Sequence, residues 1–336
     1  MKLLLLGMKY ILLFLAGCTV VLITATVLAR QLPPATNPEL IISYSASYAR
    51  YLKLNEQQVL TAVLRDFKPT HLRLQADWST IEPNMGEFDW QELDKQISTI
   101  AQSGAEVTLA IGRKLPHWPE CHDPQWLPEL TASETEERLM LMLRRVIEHY
   151  RTNPTIIRWQ VENEPLFAFG SCAPPNIHRL RRELALVRSL DDSRPILLTD
   201  SGELSPWWEA AALADELGFT LYRVVWDRTV GYYHHFWPPA FYRLKAALVV
   251  PFVRQVVVSE LQMEPWGPEG LNNLSLVEAK RSFSVEQFWN NVNFFRATGM
   301  PEGIIWGAEW WYAAKLQGDD SYWRAGQKLF DRSSFR

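Results

Sequence analysis

Cysteine is scarce in this chain of 336 residues: Cys18, Cys121 and Cys172 are all there are. Glycine is not abundant either, at 16 residues. No glycine-rich phosphate loop follows the first apolar run, which removes the main support for a dinucleotide-binding, doubly wound sheet. There is no basic block, and the formal net charge is −4, so nucleic acid is excluded as the partner. Metal-ligand spacing is missing: His234 and His235 are bare neighbours in an aromatic stretch, and His117 and His122 have no second cluster to pair with. Neither a metal nor another cofactor is expected. Internal repeats and low-complexity tracts are absent. What the chain does have is tryptophan, 15 of them. Tryptophan stacks on sugar faces but also fills cores, so the count alone decides nothing.

The N-terminus departs from globular composition. Tyr10 to Ala29 is a run of 20 residues without a charge, preceded by Lys2 and Lys9. A helix of that length spans roughly 30 Å of hydrocarbon, and the flanking lysines favour a cytoplasmic N-terminus. An N-terminal membrane anchor over residues 1–30 is expected, in the membrane through residues 10–29, with the body outside the cytoplasm. Two alternatives stay open. Val27-Leu28-Ala29 can serve as a signal-peptidase site, giving a secreted protein. Leu15-Ala16-Gly17-Cys18 resembles a bacterial lipobox and would make a lipoprotein through Cys18, although the chain stays apolar well beyond it. Residues 31–38 are proline-rich and read as a short, stiff linker.

From residue 39 to 336, short apolar runs alternate with longer amphipathic ones, the mark of repeated βαβ units. Strands are expected at 40–44, 71–74, 106–111, 156–161, 196–199, 220–225, 255–259 and 303–306. Helices are expected at 56–67, 90–103, 133–152, 177–190, 207–217, 241–250, 284–298 and 322–330. Asn55 and Ser284 suit helix N-caps, and Gly104 and Gly299 suit C-terminal ends. Eight strands, each followed by a helix, predict a single (β/α)8 TIM barrel, and such a barrel carries its chemistry at the C-terminal ends of its strands.

Two of those ends are acidic. Trp159-Gln160-Val161-Glu162-Asn163-Glu164-Pro165 closes the fourth strand, and Val256-Val257-Val258-Ser259-Glu260 closes the seventh. Paired carboxylates on different strands are what glycosidic hydrolysis needs. With Trp78-Ser79-Thr80-Ile81-Glu82-Pro83 and Gly86-Glu87-Phe88-Asp89-Trp90 after the second strand, the chain resembles clan A of the glycoside hydrolases, the retaining barrel enzymes that include cellulases, mannanases and β-galactosidases. The resemblance runs from residue 39 to the end. It implies that Glu164 is the acid/base, Glu260 the nucleophile, and Asn163 a ligand of the sugar 2-hydroxyl. It further implies that Arg73 keeps the nucleophile ionised, Tyr222 hydrogen-bonds it, and Trp306 floors the sugar, with Trp310 a rival for that last place. A buried core tyrosine and a strand-end surface arginine are the plain alternatives for Tyr222 and Arg73.

Glu264 competes with Glu260 from the same loop and otherwise binds substrate or holds the loop. Arg113, His117 and Trp118, after the third strand, are candidates for the sugar subsites or for loop packing, while Glu82 reads as architectural. Cys121 and Cys172 fall in loops that adjacent barrel strands would set side by side, so a disulfide between them is expected. The functional expectation is a monomeric retaining glycosidase acting on an oligo- or polysaccharide. Transglycosylation through the same intermediate, and a catalytically silent carbohydrate-binding barrel, are the alternatives.

Overall fold

A computed structural model describes residues 2–31, 35 and 37–331. Eight parallel strands form a closed barrel: β1 (Glu39–Ser43), β2 (His71–Gln75), β3 (Glu106–Ile111), β4 (Ile156–Val161), β5 (Ile196–Asp200), β6 (Glu216–Leu221), β7 (Gln255–Gln262) and β8 (Glu302–Trp306). Each pairs with the next, and β8 closes on β1 through the register Glu39↔Glu302 to Ile42↔Ile305. Asn55 and Ser284 cap the helices Glu56–Phe67 and Val285–Thr298 through side-chain oxygens. Gly299 ends the latter in the left-handed conformation that an L side chain disfavours.

Side chains alternate between the two faces of the wall. Outward residues such as Leu72, Leu74, Val107, Leu109, Leu217 and Phe219 are fully buried against the helical ring. The inward face holds a small apolar cluster, Ile41, Leu197, Val257 and Ile304, between two polar layers. At the N-terminal end, Arg158 donates to Glu216 (2.9 Å), to Glu302 (2.6 and 3.0 Å) and to Thr108 (2.9 Å), and His71 meets the same threonine at 2.8 Å. Toward the C-terminal end, Arg73 donates to Ser43 (3.0 Å), Gln160 (3.1 Å) and the Ser259 carbonyl (2.9 Å).

Several expectations need correction. The sixth strand begins at Glu216 and ends at Leu221, and only Trp208–Ala211 of the expected helix 207–217 is helical. The inward positions of β6 are Glu216, Gly218 and Thr220, so the strand shows no continuous apolar run; a Cβ on Gly218 would come within 2.5 Å of the Ser259 Cβ. The segment read as the end of that strand is instead an antiparallel hairpin, Val224–Asp227 with Gly231–His234. Gln262 pins its base, accepting from the Arg223 and Val224 amides (2.8 and 3.0 Å) and donating to the Val224 carbonyl (2.6 Å).

The N-terminal run lies in a helix, Lys2–Gln31. Among the described residues no helix is long and apolar enough to cross a membrane. An anchor through residues 10–29 is therefore not supported by the described residues. The side chains of Cys18, Leu28 and Ala29, on which the lipobox and signal-cleavage readings fall, lie outside those described, as do linker residues 32–34 and 36.

Candidate active site

Glu162 and Glu164 both leave β4 with left-handed backbone, at φ 59° and 42°, which turns their side chains in different directions. The Glu162 carboxylate points back at the β3 loop and accepts from the amides of Arg113 (2.9 Å) and Lys114 (2.6 Å). It fits because residue 112 is glycine: a Cβ there would lie 2.6 Å from Glu162 Oε1. Glu162 is thus spent on joining two loops. Glu164 is held by its amide, which donates to Thr199 Oγ1 (2.8 Å), and its carboxyl accepts from Thr220 Oγ1 (3.2 Å). Burial, followed by the charges of Glu260 and Glu120, pushes its pKa well above the ordinary carboxylate range, and Lys114 offsets this only in part.

Glu260 lies within β7 rather than after it, since the strand runs on to Gln262. Tyr222, one residue past β6, donates its hydroxyl to Glu260 Oε2. Arg73 is completely buried below, bonded to the Ser259 carbonyl, and Glu260 is its strongest charged neighbour. The chain of contacts continues upward. Gln160 takes one bond from Arg73 and gives one to Asn163 Oδ1 (3.2 Å), which Thr199 also contacts at 3.2 Å. With Oδ1 occupied, Asn163 keeps its buried Nδ2 without a partner.

Of these groups Glu260 and Tyr222 line a cleft of about 500 Å³, whereas Glu164, Asn163 and Arg73 are buried and do not line it. Its walls bring together Glu260, Tyr222, Trp306, His117, Trp118 and Glu264. Trp306 ends β8, edge-on to both Tyr222 (5.7 Å between ring centroids) and His117 (5.4 Å). His117 stacks on Tyr48 at 4.4 Å, and burial drives its pKa down to about 3, so the ring is neutral. Glu264 accepts from the Tyr48 hydroxyl (2.6 Å), and burial pushes its pKa well above the ordinary carboxylate range. It seats against Gly307, where a Cβ would meet the Glu264 Cβ at 2.8 Å and φ is 122°. Trp118 is 62% exposed at the rim and meets Phe169.

Two further candidates lie away from this cleft. Trp310 lies on the helix Ala308–Leu316 and packs into the core against Phe283 and Tyr322; one helical turn past the strand end carries it away from the mouth. Arg113 turns outward into a bidentate pair with Asp123 (2.8 and 2.6 Å). Glu82 is fully buried, accepting from the Trp78 indole (2.7 Å) and the Gly86 amide (2.8 Å), as an architectural residue should. Cys121 and Cys172 form the expected disulfide, joining the β3 and β4 loops.

The residues missed are Tyr48, Lys114, Glu120, Phe169 and Trp266. Tyr48 rides on the short helix Ala46–Tyr51 after β1, which shows no helical period in so few residues. Glu120 has no strand end to mark it; its neighbour Cys121 was the only signal nearby.

Residues 64–138 match the family model Glyco_hydro_42, described as beta-galactosidase. The chain is similar to the barrel β-galactosidases. The resemblance to clan A read from the sequence therefore holds, and the matched span carries Arg73 and the β3 loop but neither Glu164 nor Glu260. Beta-galactosidase BbgII of Bifidobacterium bifidum is 29% identical over 107 residues, covering 26% of this chain and 15% of that protein; the chain thus spans a small part of that relative. Among solved structures, a polyextremophilic beta-galactosidase from Halorubrum lacusprofundi aligns at TM-score 0.57 with 16% identity, over 87% of this chain and 58% of that one. Xylanase 10B from Thermotoga petrophila RKU-1, in complex with xylobiose, also aligns at 0.57, with 14% identity over 91% and 96%. At such identities the structural matches speak for the fold alone.

Proposed function

We propose that this barrel is a retaining glycoside hydrolase that cleaves O-linked β-glycosides of an oligo- or polysaccharide. The observation that carries the reading is the pair Glu164 and Glu260: Glu164 follows β4, Glu260 lies near the end of β7, and the Glu164 carboxyl accepts from Thr220 (3.2 Å), the residue of β6 in register with Glu260. Glu260 attacks the anomeric carbon while Glu164 gives its proton to the departing oxygen. Water then releases the glycosyl-enzyme, with Glu164 taking the proton back. Arg73 sets a positive charge beneath the nucleophile, and Tyr222 holds one of its oxygens and leaves Oε1 without a partner. Asn163 Nδ2 is the free donor for a sugar hydroxyl, Trp306 offers a ring to the sugar face, and His117, Trp118 and Glu264 complete the walls. The same reading puts the barrel in an oxidising compartment outside the cytoplasm, supported by the Cys121–Cys172 disulfide.

A panel of aryl β-glycosides tests this. On whichever substrate turns over, Glu260→Ala and Glu164→Gln should each cost on the order of 10³-fold or more in kcat. A 2-fluoroglycoside should leave a covalent adduct on Glu260. Full activity in either variant, or an adduct on another residue, would refute the assignment.

A further inference from the structure

Glu120 is a further carboxyl beside Glu260, and neither displacement needs it. It lines the cleft together with Glu260, on the loop between Lys114 and the disulfide. The loop is tightly shaped around it. Glu120 has φ 68°, its amide donates to the His117 carbonyl (2.7 Å), and its own carbonyl accepts from Leu115 (2.8 Å). Residue 170 is glycine, and a Cβ there would meet the Pro119 carbonyl at 2.9 Å and the Glu120 Cβ at 3.1 Å, so the β4 loop can close over the glutamate's stem. Left-handed backbone on a non-glycine residue is uncommon and collects at functional sites.

The only charged partner of Glu120 among the described residues is Lys114, at 3.0 Å. That lysine is not dependent on it, because its ammonium also donates to the carbonyls of Glu164 (3.1 Å) and Phe167 (3.0 Å). A counter-ion for Lys114 had no need to face a nucleophile of its own charge. Glu120 stands there at an electrostatic cost: burial and the Glu260 charge raise its pKa to about 7 against the pull of Lys114. Around the cleft, Glu120, Glu260, Glu264, Asp227 and Glu269 face a single basic side chain, Arg228. Carboxylates accept hydrogen bonds from hydroxyls and repel other carboxylates.

Resting on the glycosidase reading, we propose that Glu120 is a specificity residue: it accepts hydrogen bonds from the hydroxyls of an uncharged sugar unit and turns away a uronic acid at that position. Glu120→Gln is the test variant, since it removes the charge while keeping an oxygen of the same reach facing Lys114. The enzyme and variant are compared at pH 7.5 on an aryl β-hexoside and the matching aryl β-uronide. The variant should raise KM for the hexoside by about tenfold with little change in kcat, and narrow the preference over the uronide by about tenfold or more. A purely structural role would lower the melting temperature and weaken both substrates equally, which would overturn the proposal while the glycosidase reading stood. Unchanged KM and an unchanged hexoside-to-uronide ratio would do the same. Failure of the unaltered enzyme to turn over any glycoside would overturn both.

Discussion

In the proposed mechanism Glu164 keeps the proton that it gives to the departing oxygen. Burial does most of this, and the like charges of Glu260, Glu120 and Asp200 add to it against Lys114. A general acid with a raised pKa works up to that pKa, and the rate falls as pH rises through it. Removing a neighbouring negative charge lowers the pKa and brings the fall earlier. Glu120→Gln should therefore shift the basic limb of the kcat/KM profile to lower pH. The difference should open only above about pH 7, where Glu120 itself is ionised. An unshifted limb would show that Glu120 does not act on the acid. At this scale the sequence was informative about position, since Glu260 and Trp306 stand near the ends of their strands and Glu164 just beyond its own. It was silent on Glu120 and Tyr48, which the path of a loop and a short helix bring to the cleft. It misplaced Arg113, because Asp123 captures that guanidinium only once the loop has folded.

At the scale of elements, seven of the eight strands were legible to within three residues, β2, β3 and β4 among them although Arg73, Thr108 and Arg158 face the barrel interior. β6 was not, because its inward face is Glu, Gly and Thr and its first apolar residue, Leu217, falls four residues after Leu213 and so continues the helical spacing of the segment before it. The hairpin 224–234 was absorbed into that misreading. The paired loops after β3 and β4 carry His117, Trp118 and Glu120 on one side and Phe167 and Phe169 on the other. Backbone bonds join them, from the Asn163 amide to the Lys114 carbonyl (2.7 Å) and from Ser171 to Pro119 (2.9 Å). The disulfide closes 51 residues between them, and the chain-entropy argument assigns such a closure about 4 kcal/mol. A Cys121→Ser, Cys172→Ser double variant should melt several degrees lower and lose activity mainly through KM, because the wall it frees binds sugar rather than performing the displacement. A melting curve and a rate assay decide this; unchanged values of both would make the bridge incidental.

For the whole molecule, the decisive feature is a barrel whose interior is polar at both ends. Arg158 is 4% exposed and is shared between two buried carboxylates, Glu216 and Glu302. A buried pair adds little net stability, yet removing one partner strands the other in a dry site, at about 3–5 kcal/mol. Arg158→Leu should therefore destabilise the fold by that amount in a denaturant titration, while Arg158→Leu with Glu216→Gln and Glu302→Gln should recover much of it. Full recovery by neither, or no loss in the single variant, would show that the network is slack.

The same network has a kinetic meaning. With the N-terminal end stoppered by Arg158 and the middle filled by Ile41, Leu197, Val257 and Ile304, the barrel has one doorway. Under the proposed double displacement, aglycone would leave by the route that the second reactant uses to enter, so water and a second sugar would queue at the same threshold over the glycosyl-enzyme. The partition between hydrolysis and transfer then belongs to whatever occupies the aromatic rim of Trp118, Phe169 and Trp266, and it should tilt with the concentration of acceptor sugar outside.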